Sequence, residues 1–266
     1  MNARLPRITV VTICRNVLPA LRRTVASVLA QGYPELEYWI VDGASTDGTR
    51  AYLAELEPHG VRILSEPDRG ISDAMNKGVR LATGEWVAHL HADDEYLPGA
   101  LATVGRAALE GDTDLLCGWM IQREPTGDVL CRTAPERLEI EMAVPHPPTF
   151  TRRVLFERLG GFDTALRNAM DYDFFLRAHL AGARFRVVRE PLVVVASGGQ
   201  SERSLWDTLL ETHRIRRRLL RSGWSRSRAF LAFLLVKGTV RQLLQRAGLA
   251  HLVAWYRRHL SIPRKG

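Results

Sequence analysis

This sequence of 266 residues is poor in the features that send a chain into a membrane or an oxidising compartment. Its three cysteines, Cys14, Cys117 and Cys131, share no metal-ligand spacing and leave one over from any pair, so reduced thiols that serve packing are expected. The longest purely apolar run late in the chain, FLAFLLV, is far too short to span a bilayer, and MNARLPRITVV lacks the apolar stretch of a signal peptide. A cytoplasmic protein that neither crosses a membrane nor is exported is expected. The turn after the first apolar run, TICRNVLP, has no glycine, and G-x-x-x-x-G-K-[ST] occurs nowhere, which excludes a dinucleotide fingerprint and a P-loop. Internal repeats and low-complexity segments are absent from the sequence as well. Acids are scarce at one end: Arg203 to Gly266 carries fifteen Lys or Arg against Asp207 and Glu211, a charge of +13 set against −5 for residues 1–202. A cationic tail on an acidic body suggests a polyanionic surface as partner.

The chain does hold an ordinary globular composition, 46% apolar and 25% charged. From Ile8, β-rich runs alternate with helix-period stretches: ITVVTIC, ALRRTVASVLAQ, EYWIVDG, TRAYLAEL, VRILSE, ISDAMNKGVRLA and EWVAHLH. That alternation predicts an α/β fold, a mostly parallel sheet with helices on both faces, whose ligands sit outside the carboxyl ends of the strands. A less regular region, about Asp114 to Ser197, holds a strand at DLLCGWMIQ, a proline cluster at VPHPPTF, a helix at DYDFFLRAHLAG and a strand pair at RFRVVREPLVVVA, continuing the sheet over the site. From Arg203 onward the pattern is helical.

The run EWVAHLHADDEYLP aims His91, Asp93 and Asp94 off the end of a hydrophobic strand. Acids there can cap a following helix. Pro98, however, suits the first helical position and sets the cap at Leu97, too late for Asp93. Without a glycine-rich loop, phosphates need another counter-charge, and Mg²⁺ or Mn²⁺ held by two neighbouring carboxylates, Asp93 and Asp94, supplies it.

The segments VVTICRN, IVDGASTDGT, SEPDRGISDAMNKGVRLATGEWVAHLHADDEYLP, LGGFD, MDYDFFLR and ASGGQS follow one another in an order and spacing that resembles the family 2 glycosyltransferases of GT-A (Rossmann-like) fold, over roughly Ile8 to Ser201. The resemblance is to bacterial enzymes of surface-glycan or exopolysaccharide biosynthesis. It implies an inverting, metal-dependent transfer of a sugar from a nucleoside-diphosphate donor, UDP first with GDP or TDP as alternatives, to a glycan or lipid-linked acceptor. Thr12, Asn16 and Asp42 would line the nucleoside pocket; Asp68, Asp73, Asn76 and Lys77 would lie beneath base and diphosphate; Asp93 and Asp94 would serve ribose and metal. His91 stands where the family usually has the first Asp of D-x-D-D, so the ion would rest on Asp93 and Asp94 with His91 as a hydrogen-bond donor or, for a softer cation, a further ligand. Asp171 falls at the family's general base, with Asp173 pointing about 200° away on the same helix. His146 falls near the acceptor.

These readings divide the chain into a nucleotide-sugar half (about 1–112), an acceptor half (about 113–202) and a basic helical extension (203–266). In the extension Phe230, Phe233, Leu234, Val240, Leu243, Leu244, Leu252 and Tyr256 recur at helical spacing, with Lys237, Arg241, Arg257 and Arg258 among the polar positions. Such a helix suits an anionic membrane, with Trp255 and Tyr256 at headgroup level, and would hold the protein at the inner face of the plasma membrane. The alternative is a helix packed on the body with its basic face in water. Scattered aromatics make no stacking platform for nucleic acid. A non-catalytic binder acting through the basic tail is the competing function; a nucleotidyltransferase lacks its glycine-rich loop.

Overall fold

The computed structural model describes residues 4–124, 127–196 and 204–247. Four strands, β1 (Ile8–Cys14), β2 (Leu36–Asp42), β3 (Arg62–Ser65) and β4 (Trp86–His89), run parallel in the order β3-β2-β1-β4, with Ile8 level with Leu36 on one side and Trp86 on the other. β1 is central and almost wholly buried, which is why it reads as a continuous β-branched run without polar alternation. Successive residues of each strand serve opposite faces. Val10 and Ala88 pack with α1 (Leu18–Leu29), α2 (Thr49–Leu56) and α4 (Ala100–Ala107), while Val11 and Val87 pack with α3 (Ile71–Leu81), α5 (Arg153–Leu159) and α6 (Met170–Leu180). Helices on both faces are as expected.

Beyond β4 the sheet continues through β8 (Thr149–Arg152), antiparallel to β4 and to β6 (Leu115–Arg123), then through β9 (Phe185–Ala196), parallel to β6. The short β5 (Glu95–Tyr96) closes the far edge against β9, and β7 (Val129–Cys131) pairs with β6. The expected strand pair at RFRVVREPLVVVA is one strand of 12 residues. A register shift between Cys117 and Trp119 gives β9 extra residues opposite β6, and this bulge takes up Pro191, which has no N–H for the ladder. The helix expected from Pro98 starts instead at Ala100 behind Gly99, because Leu97 still donates its N–H to Leu192 O (2.8 Å) at the sheet edge.

The extension begins as two crossing helices, α7 (Leu205–Leu219) and α8 (Arg228–Arg246). They touch at Gly238, where an added Cβ would lie 3.2 Å from the Trp206 ring and 3.4 Å from Leu209. α7 packs on α6 through buried Ile215. Phe230 is buried beside Arg216, whereas Phe233, Val236, Val240 and Leu243 are between 49 and 63% exposed. The apolar stripe thus splits between an inward and an outward face. Leu252, Trp255, Tyr256, Arg257, Arg258 and most of ASGGQS lie outside the described residues. No described helix is long and apolar enough to cross a membrane.

Candidate active site

Three non-glycine residues among those described hold a positive φ: Asn16 (53°), Ala44 (58°) and Asp93 (99°), each just past the carboxyl end of a parallel strand. Backbone of this kind costs on the order of 1–3 kcal/mol per residue and clusters where structure serves a site. The loops after β1 and β2 are laced together. Asn16 donates its N–H to Ser45 Oγ (2.8 Å) and accepts from Thr46 N (2.7 Å). Asp42 is fully buried and accepts from Ser45 N, Ser45 Oγ (2.5 Å) and Ser65 Oγ (2.7 Å). Thr12, equally buried, shares a hydrogen bond with Tyr38 Oη (3.0 Å). The structure therefore gives both residues a bracing position behind the rim. Asp68 stands at the rim: a Cβ on Gly43 would sit 2.3 Å from its Oδ2 and 3.2 Å from Arg15 Cδ. A side chain at Gly43 would therefore collide with the Asp68 carboxylate and crowd the aliphatic stem of Arg15.

The expected diphosphate group on α3 is turned inward. The Asn76 amide donates to Phe162 O (2.8 Å) and accepts from Phe162 N (2.9 Å). Lys77 is buried, paired with Glu66 (2.7 Å) and bonded to Pro67 O (2.7 Å). Asp73 accepts from Arg69 N (3.1 Å) and pairs with the Arg69 side chain (3.2 Å), an arrangement that holds its carboxyl below the usual carboxylate range. These contacts join α3 to the strand-three loop and to the LGGFD segment.

At the end of β4 the chain makes a tight turn, Asp94 N donating to His91 O (3.0 Å), and Thr24 Oγ1 of α1 accepts from Asp93 N (3.2 Å). The two acids then part. Asp93 is exposed and pairs with Arg23 (3.2 Å), which also reaches Glu95 (3.5 Å). Asp94 is 7% exposed, and its carboxyl makes neither a hydrogen bond nor an ion pair among the described residues. Burial, with Asp93's charge adding to it, pushes the Asp94 carboxyl up to about 8. A buried carboxylate beside another acid, without a cation of its own, fits a divalent ion, which needs hard oxygen ligands and takes few from protein. No cluster of three or more His, Cys, Asp or Glu with metal-binding geometry occurs among the described residues.

His91 and His146 come together, ring centroids 5.5 Å apart, with His89 beside His146 at 5.4 Å. Burial pushes His91 down to about 4 and His89 to about 3, and holds His146 well below its usual value, so the three rings are neutral near pH 7. The Nδ1 of His91 is buried without a partner among the described residues. His146 packs on Phe175 (5.8 Å), linking this cluster to α6.

α6 carries both candidate bases, and their surroundings separate them. Asp173 is wholly buried and clamped by Arg177 (2.7 Å) and Arg218 (2.5 Å). Asp171 is half-buried, makes no ion pair among the described residues, and accepts only from Tyr172 N (2.7 Å). Burial pushes its carboxyl up to about 6, which suits a group that must take a proton near neutrality.

Sequence reading set Arg15 at the ligand-bearing end of the first strand without a role, passed over Gly43 and Arg23, and counted Glu211 only as charge. Glu211 accepts from three successive backbone N–H groups before α6, those of Arg167 (3.1 Å), Asn168 (2.9 Å) and Ala169 (3.0 Å). Its rarity in a basic tail was the available clue.

The sequence profile described as Glycosyl transferase family 2 matches residues 9–171. An uncharacterized glycosyltransferase of Mycobacterium tuberculosis is 36% identical over 182 residues, 66% of this chain and 70% of the relative. A PGL/p-HBAD biosynthesis glycosyltransferase of Mycobacterium bovis is 34% identical over 199 residues, 72% of this chain and 76% of its own length. Among solved structures, S. aureus TarS in complex with UDP-GlcNAc superposes with a TM-score of 0.67 at 19% identity, covering 90% of this chain and 73% of that one. The mannosyltransferase PcManGT from Pyrobaculum calidifontis, in complex with GDP-Man and Mn²⁺, gives 0.64 at 23% identity, covering 98% and 78%. At such identities the two structures speak for the fold.

Proposed function

This chain belongs to glycosyl transferase family 2, and we propose that it moves a sugar from a nucleoside-diphosphate sugar to an acceptor hydroxyl with inversion at the anomeric carbon. The observation that carries the reading is Asp94, a buried carboxylate with no cation of its own at the ligand-bearing rim of the sheet. Support for a nucleotide-sugar donor comes from the solved neighbours, one bound to UDP-GlcNAc and one to GDP-Man; UDP is taken first, with GDP and TDP as the other arms of the test. Asp68 and Arg15, which cover Gly43, would receive the nucleoside, and Thr12, Asn16 and Asp42 would keep that loop pair in shape. Asp73, Asn76 and Lys77 would act from behind, fixing α3 against the acceptor half.

Asp93 and Asp94 would hold Mg²⁺ or Mn²⁺, which when bound supplies positive charge to the diphosphate leaving group. Asp171 takes the proton of the acceptor hydroxyl as that oxygen bonds to the anomeric carbon and the bond to the diphosphate breaks, its electron pair leaving with the phosphate oxygen. His91 and His146, neutral and with ring centroids 5.5 Å apart, would line the site and limit water there.

The acceptor is a growing or lipid-linked glycan on this reading. The catalytic unit comprises a donor half to about residue 112 and an acceptor half that runs past 202 to include α7. The outward face of α8, with Phe233, Val236, Val240 and Leu243 exposed in a segment of charge +13, suits the anionic inner face of the plasma membrane. The test is incubation of the full chain with Mn²⁺ and a panel of UDP-, GDP- and TDP-sugars, reading nucleoside diphosphate release with glycan and lipid-linked acceptors. Consumption of no donor overturns the reading. Sedimentation with vesicles that do or do not contain anionic lipid tests the membrane arm, which equal binding to both would sink.

A further inference from the structure

We infer that α7, at the start of the basic extension, is the positioning element for Asp171, and that Glu211 is the residue through which it chiefly acts; the inference rests on the assignment of Asp171 as base. Ala169 stands at the cap position of α6 and offers no side-chain oxygen, so this helix start has no cap of its own. The missing acceptor arrives from 42 to 44 residues away: the Glu211 carboxylate takes the N–H groups of Arg167, Asn168 and Ala169 at 2.9–3.1 Å. An anion there also faces the positive end of the helix dipole.

The grip continues on the other side of Asp171. Arg216, buried among aromatic rings, donates from Nε to Tyr172 Oη (2.9 Å), and Arg218 pairs with Asp173 (2.5 Å) and Asp163 (3.0 Å). Within the described residues, α7 therefore bonds to residues 163, 167–169, 172 and 173 and leaves Asp171 free between them. Such an arrangement fixes a carboxylate by fixing its neighbours and leaves it, among the described residues, only the adjacent Tyr172 N–H as a partner. Of these contacts, Glu211 alone holds consecutive backbone groups, and they form the entry to the turn that carries the base.

The test uses the full chain with Glu211→Ala and Glu211→Gln, and with Leu210→Ala on the exposed face of α7 as control. Steady-state turnover is read as nucleoside diphosphate release, and amide hydrogen exchange is followed over residues 163–175. Misplacing a reacting group by an ångström costs on the order of a hundredfold, so Glu211→Ala should lower kcat by about ten- to a hundredfold with donor KM within about twofold. Exchange at 167–169 should quicken while that of β1 and β4 stays as in the parent. Glu211→Gln, which keeps a carbonyl acceptor, should recover most of kcat. A folded Glu211→Ala variant with parental kcat or unchanged exchange overturns the inference, as does a loss expressed wholly in donor KM. Asp171→Asn is run alongside: parental turnover in that variant would instead overturn the base assignment, so the two failures are distinguishable.

Discussion

The donor rim and the acceptor half are built with different chemistry. Around the ends of β1 and β2 the loops are held by short side chains, Asn16, Ser45, Thr46 and Ser65, bonding to backbone or to buried Asp42. Around α6 the structure is held by long charged ones, Arg177, Arg218 and Glu211. Short neutral contacts let backbone adopt the positive φ of Asn16 and Ala44 while leaving room above it. Charged clamps reach across from other elements and hold a helix whose core is aromatic, Phe174 stacked on Phe156 at 4.6 Å. Asp173, Asp163 and Asp73 are tied to arginines, whereas the carboxyls of Asp94 and Asp171 make no ion pair among the described residues. Pairing status separates Asp171 from its neighbour Asp173, whereas Asp93, paired with Arg23, is grouped with Asp94 by position alone.

The largest break in this contrast should come from Asp171→Asn. Loss of a general base typically costs about 10²–10⁴ in rate, so kcat should collapse while nucleoside diphosphate binding, read by thermal shift with Mn²⁺, stays intact. Asp93→Ala combined with Asp94→Ala should take the opposite form, abolishing the Mn²⁺-dependent thermal shift and lowering turnover by roughly 10²–10³ through lost stabilisation of the leaving group. Activity should also follow the proton on Asp171. The base works when ionised, so kcat should be flat above the raised value of about 6 and fall about tenfold per unit below it, and Asp171→Asn should erase that limb. Asp173→Ala sharpens the sorting rule at the small end for kinetics: it should lower stability by about 3–5 kcal/mol, read by urea unfolding, because it strips a carboxylate from two arginines, yet leave kcat of the folded fraction close to the parent. A variant of Asp173 that folds normally but does not turn over would reverse the two roles.

Much of the donor half was legible because a parallel sheet leaves strong marks. Buried central strands are unbroken β-branched runs, and amphipathic helices between them repeat with a helical period. Those same marks say nothing about which neighbour a polar side chain meets. Asp73, Asn76 and Lys77 sit on a helix whose place beneath the site was read from resemblance, but only packing showed that their side chains turn to Arg69, Phe162 and Glu66. β5 escaped notice because two residues carry no periodicity, and β9 was split in two because Pro191 resembles a turn until the bulge is seen. The separation of Asp171 from Asp173 was legible in direction, from helical geometry, but not in outcome, since Arg218 arrives from a helix 45 residues on. Long-range charge pairing is the part of this site that local pattern does not encode.

The twofold bond between the Asn76 amide and the Phe162 backbone acts as a surrogate peptide group, stitching the two halves of the molecule as a ladder rung would. Aspartate at that place has lost the hydrogen-bond donor, and glutamine sets the amide one methylene too far out. Drift at this seam therefore has to be matched on both sides at once, because each partner supplies one donor and one acceptor to the other.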